Sequence, residues 1–337
     1  MSYFFSVLFL LLFTFTHAQD YQFHKVNAET NASFRGLSVV NDTIAWISGS
    51  QGQVGVTADG GKTWRFNTVK GHEKSEFRSL YAFDARRAII ANAGSPAYIL
   101  TTADAGKTWK TVHTLTHKDA FFDGIDFWNS KEGIIYGDPI DGKMLLLKTT
   151  DGGLSWKEIT NAPRLETGEA SFAASGTGIR CLKNDKIIIC TGGTLSRLWI
   201  SDDKGEQWTN RTTPIIQGQS TTGIFSFAQN GNQLLIVGGD FKEENGTTLH
   251  CFYSTDDGAN WVAPLTATRG YRECIEPITE TILIATGPSG SDISLDNGQH
   301  WQALSDEKGL HTIRKARNGK LVIAAGGSGK IFLVSKK

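Results

Sequence analysis

Six octapeptides decide how this chain reads: TADGGKTW at 57–64, TADAGKTW at 102–109, TTDGGLSW at 149–156, SDDKGEQW at 201–208, STDDGANW at 254–261 and SLDNGQHW at 294–301. All follow Ser/Thr-x-Asp-x-Gly-x-x-Trp. The acids are Asp59, Asp104, Asp151, Asp203, Asp256 and Asp296, and the indoles are Trp64, Trp109, Trp156, Trp208, Trp261 and Trp301. The aspartates stand 45, 47, 52, 53 and 40 residues apart, and self-similarity at such a period marks a repeat architecture. Each copy has the chemistry of a hairpin turn. The carboxylate can accept backbone N–H groups, the glycine can take a positive φ, and the tryptophan opens the next strand with a large apolar face.

Working outward, strand patterns precede each copy. Before the first come 34–40, a turn at Asn41-Asp42, then 43–48 and 53–57. Before the second come 77–83, 88–92 and 97–101; before the third, 121–128, 133–137 and 144–148. Three strands, the octapeptide and a fourth strand make one blade of a β-propeller. After the last copy, 311–316, 320–325 and 330–335 give three strands that lack a fourth, while 21–26 is a strand with no blade of its own. The two ends fit together, and closing the ring removes exposed sheet edges. The expected fold is an all-β, seven-bladed propeller closed by an N-terminal outer strand. About 319 residues shared among seven blades is about 46 each, a usual blade size; six blades is the alternative.

The segment 4–15 is apolar apart from Ser6 and Thr14, and Thr16-His17-Ala18 follows. That run is shorter than the ~20 residues a membrane-spanning helix needs. It reads as a signal peptide over 1–18 with cleavage after Ala18, although no Lys or Arg precedes it. A single propeller domain over 19–337 is then expected outside the cytoplasm, secreted or periplasmic, as a monomer with no membrane insertion after cleavage. The 34 Lys and Arg balance 34 Asp and Glu, which argues against a nucleic-acid surface or a polybasic anchor. Four cysteines are too few for a disulfide scaffold, and buried free thiols are expected.

The octapeptides resemble the Asp-box (BNR) repeat of sialidases, xyloglucanases, sortilin-type receptors and the photosystem II assembly-factor family. The stretch FFDGIDFWNSKEGIIYGDPIDGKMLLLKTTDGGLSW at 121–156 is most similar to the last of these. The resemblance covers nearly the whole chain and implies the propeller fold, with Asp boxes set away from the central channel. It implies a non-catalytic binding or assembly scaffold only by analogy, because the shared residues are structural.

Propeller ligands usually meet the ring where the inner strands begin. Aligning those strands puts Arg35, Arg78, Asp123, Thr177, Thr222 and Arg272 in one register, with His311 in the seventh blade. Guanidinium forks match carboxylates and phosphates. Arg35, Arg78 and Arg272 therefore point to an acidic protein segment or an anionic or polyhydroxylated ligand at the mouth. The alternative is that each arginine pairs with a carboxylate such as Asp123 or Glu169 and holds the ring closed.

The small-residue run GEASFAASGT at 168–177 interrupts the fourth blade. It either plugs the channel or carries Glu169 to the mouth. In a glycoside hydrolase, Asp123 and Glu169 would be the catalytic carboxylates, about 5–10 Å apart across an open cleft. Against the sialidase resemblance, FRGL at 34–37 lacks the Ile-Pro that follows the first sialidase arginine, and only Tyr271 and Glu273 offer a nucleophile and base. No His or Cys grouping has metal-ligand spacing, so no metal and no cofactor is expected. The scaffold is the favoured reading, and a sialidase-like or other glycan hydrolase is the alternative.

Overall fold

The computed structural model describes residues 21–337, so the expected leader at 1–18 lies outside the described residues. Seven antiparallel sheets succeed one another around a ring. Blades one to four have inner strands Phe34–Val39, Phe77–Ala82, Phe122–Phe127 and Ile179–Cys181; blades five to seven have Thr222–Asn230, Cys274–Pro277 and Leu310–Lys315. The seventh sheet runs Leu310–Lys315, Val322–Gly326, Ile331–Lys336 and then Tyr21–Val26 at its outer edge. Tyr21 pairs with Lys336 and Val26 with Ile331, so the N-terminal strand closes the ring and the blade number is seven. The described residues contain no helix.

The octapeptides form the turns between third and fourth strands in blades one to four and in blade six. In the first, Asp59 Oδ1 accepts the N–H groups of Lys62 and Thr63, and Oδ2 accepts the Thr63 hydroxyl at 2.6 Å. Thr57 Oγ1 accepts the Gly61 N–H, and Trp64 Nε1 donates to the Gly61 carbonyl. Asp104, Asp151, Asp203, Asp256 and Asp296 each accept backbone N–H groups in the same way. With the hydroxyl or amide of the following turn bonded to them, Asp59, Asp104 and Asp256 are held down to about 2, because the ionised form accepts more bonds.

Blade five differs. Its fourth strand is reduced to the single bridge between Tyr253 and Val262, after which the Leu265 N–H donates to the Gln299 carbonyl of blade six and the blade-six Trp301 N–H donates to the Thr266 carbonyl. On its inner side it gains two short strands, Glu169–Ala170 and Gly192–Gly193, which pair through Gly192 to Gly223. The core lies between blades. Phe34, Phe77 and Phe122 start the first three inner strands and are fully buried, each removing a large ring from water for roughly 1.5–3 kcal/mol. All four cysteines are free. Burial pushes the thiols of Cys181, Cys190, Cys251 and Cys274 up.

Candidate functional site

In five blades a β-bulge near the start of the inner strand sets one side chain out of the paired register. The paired register skips Arg35, Arg78, Asp123, Phe225 and His311 in blades one, two, three, five and seven. Extra residues of this kind re-aim a side chain. In blades four and six the corresponding positions, each just ahead of a small residue at the start of the inner strand, are Thr177 and Glu273. The next residue in the seven blades is Gly36, Ser79, Gly124, Gly178, Ser226, Cys274 or Thr312.

Two residues of the sequence alignment stand elsewhere. Thr222 lies three residues ahead of Phe225 and is buried, with its hydroxyl donating to the Gln219 carbonyl. The TGI tripeptide at 177–179 and at 222–224 misleads, because blade five starts early to pair with Gly192. Arg272 lies one residue ahead of Glu273 and is fully buried. It forks onto Asp292 at 2.5 and 2.8 Å and reaches Ser289 and the Tyr271 carbonyl. A guanidinium this deep needs a fixed acid, and Asp292 on the third strand supplies it. Aligning on the small residue that follows each ring position, rather than on the arginine, recovers Phe225 and Glu273.

Glu169 is also away from the mouth. Its carboxylate takes the Arg197 fork, the Thr191 hydroxyl, the Trp199 indole N–H and the Glu166 N–H. Burial raises its pKa, but those bonds outweigh burial and hold it below the ordinary value. Asp123 is buried with neither oxygen hydrogen-bonded. Burial, then the nearby Asp138 charge, push it well above the usual carboxylate range against the pull of Arg78. Neither Asp123 nor Glu169 lines the mouth pocket, so the open cleft with two facing carboxylates is not formed.

The reason is the loop at 171–176, which crosses the ring. Arg35 Nη1 donates to the Ala174 carbonyl at 2.8 Å, and Ser175 Oγ donates to the Glu273 carbonyl. Thr312 Oγ1 donates to the Ser175 carbonyl and Arg314 to the Gly176 carbonyl. Blades one, six and seven thus hold the plug from a blade-four segment. Above it lies a pocket of about 360 Å³. Its floor is aromatic: Phe172 stacks on Phe225 at 3.9 Å, with Tyr271 edge-on to Phe225 and Phe241 edge-on to both phenylalanines. Sequence reading missed this floor, since its rings come from three separate segments.

The polar wall of the pocket centres on Glu273. Its Oε2 meets Arg35 Nη1 at 2.9 Å and His311 Nδ1 at 2.8 Å, and its Oε1 accepts from Tyr271 Oη at 3.3 Å. Burial raises the Glu273 pKa, yet the Arg35 charge and His311 outweigh it and lower the net value. Arg78 is partly exposed and pairs with Glu76 at 2.9 Å, leaving its Nε unbonded. The mouth therefore carries two arginines rather than three, and a mixed charge rather than an open cationic funnel. Among the described residues no group of three or more His, Cys, Asp or Glu could hold a metal.

Six Asp-box turns on a closed seven-bladed ring define an Asp-box (BNR) repeat β-propeller. Within that class the chain is most similar to the photosystem II assembly factors: the family described as photosynthesis system II assembly factor YCF48 matches residues 15–119 and 94–182. The structure is similar to that of YCF48 bound to D1 peptide, with a TM-score of 0.67 and 16% identity over 94% of this chain and 97% of that one. It is similar to YCF48 from Cyanidioschyzon merolae, with a TM-score of 0.60 and 14% identity over 93% and 98%. It is also similar to the GH74 xyloglucanase from Xanthomonas campestris, with a TM-score of 0.62 and 13% identity over 92% of this chain but 53% of that enzyme. At such identities these likenesses show the fold alone. No curated protein matches the chain in sequence.

Proposed function

We propose that the protein is a non-catalytic binding and assembly scaffold whose plugged mouth holds an acidic segment of a partner protein. The observation that carries this reading is the plug. A channel crossed by 171–176 and tied to Arg35, Glu273 and Thr312 leaves a shallow seat with an aromatic floor. An extended segment would lay an apolar side chain on Phe172 and Phe225 and set a carboxylate against the partly exposed guanidinium of Arg78. The peptide-bound state of a YCF48 protein of the same fold supports the choice of a protein ligand. The apolar run at 4–15 and the small residues before Gln19 support export, so the scaffold would work as a secreted or periplasmic monomer.

The test is isothermal titration of acidic peptides, sialic acid and uronic acids against the mature chain and an Arg35→Ala/Arg78→Ala variant. Peptide binding should weaken at least ten-fold in the variant. Equal binding by both proteins, or binding of sugars alone, overturns the reading. N-terminal sequencing of the exported protein should begin at Gln19; an intact Met1 in the cytoplasmic fraction overturns export.

One observation favours the glycan-hydrolase alternative: the Tyr271 phenol donates to Glu273 beside Arg35. Burial, then the Glu273 charge, push that phenol well above its usual pKa, which opposes a nucleophilic role. Turnover of sialosides or β-glucans that is lost in Tyr271→Phe would establish the alternative.

A further inference from the structure

The six Asp boxes do more than turn the chain. Each places its recurring glycine on the preceding blade. A Cβ on Gly61 would meet Leu333 of blade seven at 2.8 Å, one on Gly106 would meet Trp46 at 3.1 Å, and one on Gly153 would meet Ile89 at 2.0 Å. Likewise Gly205 faces Ile159, Gly258 faces Arg211 and Gly298 faces Leu235. Blades seven, one, two, three, four and five are therefore covered in turn. Blade six receives no box, because blade seven has none to give.

The register shows why. In five of the six boxes the Ser or Thr pairs with the first residue of the second strand, as Thr57 does with Ala45 and Ser294 with Leu283. In blade seven that partner of Val322 is Val334, so Lys336 stands where the other blades have the box aspartate. The Tyr21–Val26 strand then pairs straight alongside, with Tyr21 opposite Lys336. An extended ribbon replaces the compact turn.

A groove of about 1000 Å³ remains there. Pro277, Ile278 and Thr279 of blade six form one wall, and Leu321, Val322 and Val334 of blade seven form the other. Lys315, Lys320 and Lys336 stand on its rim, and none of the three has an ion-pair partner among the described residues. Asp42 on the same rim already accepts the backbone N–H groups of Lys320 and Leu321, and Glu280 is the other acid. The groove lies on the face that carries the β-turns and Asp boxes, opposite the plugged mouth.

We propose that this seventh groove docks an acidic, aromatic-bearing turn of a partner protein, with the chemistry of the Asp box that the chain itself lacks there. The six filled grooves show what such a site accepts: a tight turn with a glycine against the sheet, an aspartate at its base and a tryptophan at its exit. The lysine rim selects for the acid, and the apolar walls take the ring. Occupied together with the mouth, the groove makes the ring a bridge between two protein segments on opposite faces.

The probe is a fluorescein-labelled peptide STDDGANW, the 254–261 sequence, which carries two acids and no base, followed by anisotropy with the mature protein. Wild type should bind it saturably. Lys320→Glu/Lys336→Glu, both exposed and distant from the core, should weaken binding at least ten-fold, and Ser335→Trp, which fills the groove, should abolish it. Thermal melts confirm that both variants fold. Absence of saturable binding at millimolar protein overturns the proposal. So does unchanged binding in both variants, loss of binding in Arg35→Ala/Arg78→Ala instead, or equal binding of a peptide with Asp→Asn and Trp→Ala. Loss in the mouth variant separates failure here from failure of the mouth reading.

Discussion

The two faces of the ring are built on different rules. On the outer turns, six copies of one octapeptide repeat one hydrogen-bond pattern, and every aspartate in it accepts backbone N–H groups. At the starts of the inner strands, beneath and around the mouth, seven equivalent backbone positions carry Arg35, Arg78, Asp123, Thr177, Phe225, Glu273 and His311, with no two neighbours doing the same job. The repeated positions satisfy backbone groups that every blade has, so the same residues solve the same problem each time. The mouth positions satisfy nothing common to all blades. Their variety is where a particular binding function can be written on a shared fold.

The largest expected effect breaks or keeps the boundary between these classes. Arg272 reads in sequence as a mouth arginine, yet it is buried against Asp292. Removing one partner of a buried ion pair costs about 3–5 kcal/mol. Arg272→Ala should lower unfolding stability by that order in urea melts. A change below about 1 kcal/mol would return Arg272 to the solvent-facing mouth and restore three arginines there.

A smaller effect tests whether box glycines are packing elements. Gly153 has φ +84° and leaves no room, since a Cβ would stand 2.0 Å from Ile89 Cδ1. Gly153→Ala should cost about 1–3 kcal/mol through overpacking, in addition to left-handed backbone strain. Gly258 has a similar φ of +79° but its nearest neighbour is Trp261 at 3.3 Å. Gly258→Ala should therefore cost measurably less. Equal losses would mean that the glycines serve the turn alone and do not seat one blade on the next, which would also weaken the argument for a vacant seventh groove.

What the sequence made legible follows the same division. Strand order, box turns and the closure by Tyr21–Val26 were readable, because repetition averages over local ambiguity and the unpaired strands at the two ends had one way to combine. The mouth was readable only in part. Arg35, Arg78, Asp123, Thr177 and His311 fall on the ring positions, but Thr222 and Arg272 do not, since a one- or three-residue offset leaves a strand pattern intact while changing which side chain faces the channel. The aromatic floor was hidden because Phe172, Phe225, Phe241 and Tyr271 are brought together by the plug and by blade five's enlarged sheet. The Glu169–Arg197 pair was hidden for a related reason, as Arg197 lies on a third strand.

The faces also differ in how they respond to acid. Asp59, Asp104 and Asp256 are held down to about 2 by hydrogen bonds, the Thr63 and Thr108 hydroxyls and the Asn260 amide first among them. Their folded pKa lies below the unfolded value of about 3.9. The stability they give is present above that value and is lost as pH falls toward 2. An Asp59→Ala/Asp104→Ala/Asp256→Ala variant should be less stable than wild type at pH 6, with the gap closing between pH 4 and pH 2. A gap that does not change with pH would mean that the turns do not depend on the ionised acids.

Asp123 should show the opposite sign. Burial and the nearby Asp138 raise its pKa in the folded chain, and no hydrogen bond compensates either oxygen. Below the ordinary carboxylate range both folded and unfolded chains carry the proton, and Asp123 places no penalty on folding through ionisation. As pH rises, the unfolded chain releases its proton first, so wild type loses stability up to the raised folded value. Asn has nearly the same shape and no proton to lose. Asp123→Asn should therefore match wild type near pH 4 and exceed it increasingly toward neutral pH, in urea midpoints measured at constant ionic strength. Parallel curves for the two proteins would show that Asp123 is ionised and partnered in solution, and would make it a charged member of the mouth beside Arg78 rather than a buried neutral one.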